Sequence, residues 1–114
     1  MLPQAHRLRL EKDIKTLFAC GKSVFGSWVG MKFRKNNLSV SRFAIVAGVK
    51  VSKKAVVRNR LKRQVRAVVQ EALPCIASGY DVLLFMKPAG VEKSFDDLKA
   101  QILISLRKAK LLSL

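Results

Sequence analysis

Apolar residues recur at Val57, Leu61, Val65, Val68, Val69 and Ala72. The spacing is i, i+4, i+8, i+11, i+12 and i+15, that of a helix with one buried face. It predicts a helix over residues 54–73, stopped by Pro74, which cannot continue it. Upstream, Leu8 and Leu10 alternate with Arg7 and Arg9, so residues 1–10 read as an extended lead-in with both leucines turned to a core. Residues 11–20 fit a short helix: Ile14, Leu17 and Phe18 share one side, Glu11 and Asp13 suit its first turn, and Gly21 suits the position after its end. A strand follows over residues 23–34, with Val29, Met31 and Phe33 alternating against Trp28, Gly30, Lys32 and Arg34. The turn at residues 35–39 contains Asn36-Asn37, a pair that tolerates positive φ. A second strand is expected over residues 42–51, with Phe43, Ile45, Ala47 and Val49 on one side. Residues 80–86 are nearly all apolar, the pattern of a strand covered on both faces and central in its sheet. Ser94 with Asp97 forms a cap pair for a last helix carrying Phe95, Leu98, Ile102, Leu106 and Ala109 on one stripe.

The predicted order is therefore α-β-β-α-β-α, a small α+β domain. Strand, helix, strand in succession implies a crossover on one face of the sheet. With 114 residues, the chain is read as one domain, 1–114. Half of the residues are apolar, so it is not a disordered basic tail.

Charge changes the picture. The net charge is +16, a field that draws in polyanions. Between Asp13 and Glu71 there is no acid and there are fourteen Lys or Arg. The predicted central helix and its approach carry Lys50, Lys53, Lys54, Arg58, Arg60, Lys62, Arg63 and Arg66. A solvated helix face would mix signs to gain i,i+4 pairs. Stability alone would also choose acids at the helix start, where the dipole is positive. A polyanion docked there would reverse both penalties. Nucleic acid is the expected partner. On the first strand, basic residues interleave with aromatics as on a floor for single-stranded nucleic acid; a half-exposed antiparallel strand would give the same alternation. Phe18 suits core packing and also suits stacking on an unpaired base.

Other chemistries find little support. His6 has no partner cluster. Cys20 and Cys75 are far apart and in no metal-binding spacing, so they read as reduced thiols of a cytoplasmic protein. No apolar run approaches the length of a membrane span, and no signal-peptide core is visible. There is no Ser/His/Asp set and no Gly-rich phosphate loop. Two-metal phosphodiester cleavage needs converging carboxylates, and the basic middle has none.

The stretch Ala55-Val56-Val57-Arg58-Asn59-Arg60-Leu61-Lys62-Arg63 resembles the signature helix of the bacterial ribonuclease P protein family. Arg7-Leu8, Phe18, Gly21, Tyr80-Asp81 and Lys87-Pro88-Ala89 extend the resemblance over most of the chain. It implies an α/β sandwich like the second domain of ribosomal protein S5, with a left-handed βαβ crossover. It implies that Lys50, Lys53, Lys54, Arg58, Asn59, Arg60, Lys62, Arg63 and Arg66 bind a catalytic ribonuclease P RNA. It further implies a cleft for the single-stranded 5′ leader of precursor tRNA, formed here by Arg9, Phe18, Trp28, Lys32 and Arg34. Metal-dependent hydrolysis would belong to the RNA, which would hold the Mg²⁺, so the protein alone would not be catalytic. No membrane and no obligate protein partner is implied. Two departures stand out: the family often carries an aromatic where Ile14 stands and another on the cleft strand near Lys32, and Lys53-Lys54 replaces a small polar pair before the helix. A ribosomal or general RNA-binding protein is the alternative. A DNA-binding module lacks its helix-turn-helix pattern here. An anionic-membrane binder would need a broad, aromatic apolar face.

Overall fold

In the computed structural model, which describes residues 4–112, the helix α1 spans Glu11–Cys20, and α2 and α3 span Ala55–Ala72 and Phe95–Lys108. Four strands, β1 (Lys22–Val24), β2 (Val29–Lys35), β3 (Arg42–Val46) and β4 (Tyr80–Met86), form one sheet in the order β1-β2-β4-β3. β4 is internal, antiparallel to β2 and parallel to β3. The α2 helix provides the crossover between the parallel pair.

Burial follows from the side-chain alternation of β4. Val82, Leu84 and Met86 join Val29, Met31 and Phe43 on one face, against Leu61, Val65, Val68 and Val69 of α2 and Leu98, Ile102 and Leu106 of α3. Leu83 points the other way, to Leu17 of α1, Leu8 and Ala44. The four α2 side chains are at most 1% exposed. Each contributes about 1.5–3 kcal/mol relative to exposure, enough to hold α2 on the sheet despite its unpaired charge. α3 starts at Ser94, whose Oγ accepts the Asp97 N–H at 3.1 Å. A short 3₁₀ turn containing Pro74 follows α2.

The expected elements need four corrections. The first strand is two: β1 and β2 are antiparallel, with Lys22 opposite Phe33, and residues 25–28 turn between them. That turn is held by Gln101 of α3, whose Oε1 accepts the Trp28 and Val29 N–H groups at 2.7 and 2.9 Å and whose Nε2 donates to Val29 O at 2.7 Å. β3 ends at Val46, and Val49 is exposed. Leu10 is exposed because α1 begins at the next residue and turns it outward, while Leu8 is buried. Gly21 has φ −71, so the chain leaves α1 in an extended conformation rather than a left-handed one. Asn37, by contrast, does take positive φ, at 60°.

Candidate nucleic-acid interface

The signature helix presents its charge in two rows, one on each side of the buried stripe. Arg58, Lys62 and Arg66 are spaced i, i+4, i+8 and form one half-buried row. Arg60 lies on the opposite flank, where Nη2 donates to Val91 O at 3.3 Å. Asn59 and Arg63 face solvent between the rows. Arg58 is oriented by its own approach loop: Nη1 donates to Ser52 O at 2.8 Å. The helix has no acid in its first turn and no side-chain cap at Lys54. At this start the Lys54 N–H donates to Ser52 Oγ at 3.2 Å, and the Val57 and Arg58 N–H groups both donate to Lys54 O, at 3.1 and 3.2 Å; Lys53 and Lys54 are exposed beside it. Lys50 is exposed in the preceding turn, which is closed by Val51 N–H on Gly48 O at 3.0 Å. Glu71, the first acid of α2, is engaged by Lys99 of α3 at 2.8 Å.

On the other face of the sheet, α1 forms one wall of a cleft. Phe18 is 44% exposed, and its ring lies 6.1 Å from that of Phe85, tilted by 40°. Lys32 joins them: Nζ donates to Phe18 O at 2.7 Å and stands 5.7 Å from the ring centroid. Gly30 makes room for the Phe85 ring, since a β-carbon there would overlap it. Arg9 and Arg66 both line a groove of about 350 Å³ beside β3, together with Ile14, Ala44 and Val46. The half-buried row of α2 therefore ends in the same groove that the lead-in residues enter. Arg34 is exposed on β2, two positions beyond Lys32.

Trp28 does not belong to this cleft. It packs against the core on the α3 side, with Lys93 Nζ 4.8 Å above its ring. The turn before β2 interrupts the alternation that would have put it beside Lys32. Phe85 takes the place expected for it. The sequence offers one weak signal for Phe85: it has the parity of Leu83 rather than of Leu84, but in a fully apolar run parity does not say which face is open.

The carboxylates of this region are engaged by one arginine. Arg42 donates from Nε and Nη2 to Asp81 at 2.9 and 2.8 Å, and Asp13 of α1 stands 3.6 Å from Nη2. Hydrogen bonding to Asp81 raises the Arg42 pKa above its ordinary value; burial opposes this, and the charges of Asp81 and Asp13 add to it. Asp81 also accepts the Asn36 side-chain amide at 2.9 Å. Among the described residues, no three His, Cys, Asp or Glu side chains are grouped to hold a metal ion. Nor is any described helix long and apolar enough to cross a membrane. Neither Cys20 nor Cys75 is in a disulfide, and Cys20 is exposed.

Comparison with known proteins places this arrangement. The model of the ribonuclease P family matches residues 2–110. A ribonuclease P protein component of Microcystis aeruginosa is 38% identical over 115 residues, covering 97% of this chain and 96% of that protein. Its counterpart in Synechocystis is 40% identical, covering 83% and 77%. Among solved structures, the ribonuclease P protein of Thermotoga maritima in complex with 1-(4-fluorophenyl)-2-thiourea has a TM-score of 0.83 at 33% identity, covering 90% of this chain and 98% of that one. A ribonuclease P protein mutant of Staphylococcus aureus has the same fold, with a TM-score of 0.89 at 21% identity, covering 96% and 92%. With its basic crossover helix and its cleft under α1, this chain belongs to the ribonuclease P protein family.

Proposed function

We propose that the chain is the protein subunit of ribonuclease P, a ribonuclease ribonucleoprotein of tRNA processing, and that it works by binding two RNAs. The α2 helix and its approach, from Lys50 to Arg66, bind the catalytic ribonuclease P RNA. The cleft of Phe18, Phe85, Lys32 and Arg34, with the Arg9 groove, binds the single-stranded 5′ leader of precursor tRNA. The observation that carries this is the shared groove: Arg66 of the RNA-binding row and Arg9 beside the cleft line one concavity. A protein so built can hold substrate and catalytic RNA against each other.

The chemistry follows from what these side chains can do. Phe18 and Phe85 present ring faces to unpaired bases, each such stack being worth about 1–3 kcal/mol. Lys32, Arg34 and Arg9 neutralise leader phosphates. The α2 row neutralises phosphates of the partner RNA, so both contacts weaken with salt. Mg²⁺ held by the RNA supplies the hydrolytic chemistry. The protein lowers the phosphate repulsion that opposes metal and substrate binding, and its own carboxylates at Asp13 and Asp81 stay paired with Arg42. The cytoplasm is the compartment in which these RNAs and two cysteines outside any disulfide belong together.

The test is 5′ cleavage of precursor tRNA by a bacterial ribonuclease P RNA at low Mg²⁺, with and without this chain. The expected result is a large gain in kcat/KM that needs both components. RNA binding with no gain would move the chain to a general RNA-binding role. Cleavage by the protein alone would contradict the assignment of the chemistry to RNA.

A further inference from the structure

At the end of the sheet where β4 stops and β2 starts, Val29 stands opposite Met86. β3 runs parallel to β4, so the loop into α2 leaves from this end too. Two segments meet here that serve neither RNA site: the turn at residues 25–28 and the stretch from Lys87 to Lys93. The Lys87 N–H donates to Trp28 O at 2.9 Å. Gly90 lies flat against Trp28, where a β-carbon would stand 2.8 Å from the tryptophan carbonyl oxygen. With Gln101 of α3 holding Trp28 and Val29, the two segments form one fixed surface.

The surface carries two rings, each with a lysine over it. Phe25 is 77% exposed, and Lys87 Nζ stands 4.2 Å from its ring centroid. Lys93 Nζ takes the corresponding place over Trp28. Neither lysine is in an ion pair among the described residues. Glu92 is exposed beside Lys93, while Asp96 and Asp97 occupy the first turn of α3, where the helix dipole favours acids. A single exposed phenylalanine is ordinary. A ring kept in water on a fixed turn, with unpaired cations beside it, is a stacking platform flanked by phosphate contacts. The cation–π contacts also strengthen when desolvated, as docking would do.

The face decides which RNA. Trp28 packs with the layer of α2 and α3, and Arg60 of α2 reaches across to Val91 O. The surface therefore continues the Arg60 flank of the signature helix. Leu17 and Leu83, which mark the α1 layer and its cleft, lie on the other side of the sheet.

We propose that the 25–28 turn and the 87–93 segment form a second contact surface for the catalytic RNA, resting on the assignment of α2 to that RNA. An unpaired base stacks on the open face of Phe25. Lys87 and Lys93 neutralise the phosphates that flank it, and Trp28 holds Lys93 in place. The RNA is then gripped on two adjoining surfaces rather than along one helix, which sets its orientation as well as its affinity.

The test is filter binding of a bacterial ribonuclease P RNA over a salt series, with no precursor tRNA present. Phe25→Leu keeps apolar bulk but removes the ring, and should weaken binding about fivefold or more, the scale of one stacked base. Phe25→Trp should bind as the wild type does. The double variant Lys87→Gln, Lys93→Gln should make the slope of log K against log salt shallower by about 1.4, at about 0.7 for each single-strand phosphate contact. The Tm of Phe25→Leu should equal that of the wild type, because the side chain is exposed. Wild-type affinity in Phe25→Leu, with the variant Arg58→Ala, Arg60→Ala weakened, would overturn this surface and leave the α2 assignment standing. No binding of the RNA by the wild type would overturn both. A loss confined to the KM of leader-bearing precursor tRNA would give the surface to the substrate instead. Self-association of the chain that Phe25→Leu abolishes, with RNA affinity unchanged, would give it to a second copy; either result overturns the proposal.

Discussion

Gly30 lies directly beneath the Phe85 ring, so close that a β-carbon there would fall within the ring's van der Waals envelope. The two residues face each other across the β2–β4 register, and the absence of one side chain seats the other in the cleft. Gly30→Ala should force the ring aside, at a cost of about 1–3 kcal/mol for overpacking. The leader-dependent part of KM should deteriorate while affinity for the catalytic RNA holds. Thermal unfolding and a titration against each RNA separately would check this; an unchanged leader contribution with a lowered Tm would remove Phe85 from the leader site.

The double variant Arg58→Ala, Arg60→Ala should reduce affinity for the catalytic RNA more than it reduces stability. Each arginine makes a single hydrogen bond to a backbone carbonyl, so the folding loss should be about 1–2 kcal/mol in total. The slope of log K against log salt should become shallower by about 0.7 for each single-strand phosphate contact removed, or about 0.9 for a duplex one. Filter binding over a salt series gives both quantities. Equal affinity of variant and wild type would refute the role of these two flanks of α2.

Asp81→Asn should destabilise the fold by about 2–3 kcal/mol, the lower side for a broken buried pair, because the Arg42 side chain is 23% exposed and can turn to water. The pH dependence has a definite sign. The Arg42 pKa is raised on folding, so its contribution is complete below the ordinary arginine value and is lost only as pH climbs through the folded one. The stability gap between wild type and variant should therefore be flat from about pH 7 to about pH 10. Urea unfolding at several pH values measures it.

Gln101→Leu should loosen the β1–β2 turn without unfolding the sheet. The substitution removes three hydrogen bonds to the backbone of residues 28–29 and leaves two N–H donors to find water, costing about 2–3 kcal/mol. Amide exchange at Trp28 and Val29 should accelerate far more than at Leu83 or Leu84 in β4.

The elements that announced themselves were those whose signals are local. The stripe from Val57 to Ala72, the Ser94 cap and the apolar run 80–86 each fix a period, a start or a stop within a few residues. The β1–β2 hairpin was not legible, because its turn is set by Gln101, more than seventy residues away, and Phe25-Gly26-Ser27 carries no strong two-residue turn signal. The same cause misplaced Trp28: alternation predicts a face only while the strand continues. Leu10 failed because a helix start reorients a side chain that an extended lead-in would have buried. The basic row of α2 could be read from charge and period together. The cleft could not, since it needs α1, β2 and β4 side by side, and Phe85 is distinguishable from Leu84 only once it is known that α1 covers its face incompletely.

That incomplete cover gives β4 two occupations interleaved at single-residue spacing. Val82, Leu84 and Met86 pack against α2 and α3, whereas on the other face Leu83 is buried under α1 and Phe85 is left partly open. Recognition can therefore be retuned at Phe85 alone, while the other letters of the strand keep the domain folded. The same arrangement makes insertion or deletion of a single residue in β4 uniquely damaging, because it would exchange the two vocabularies at once.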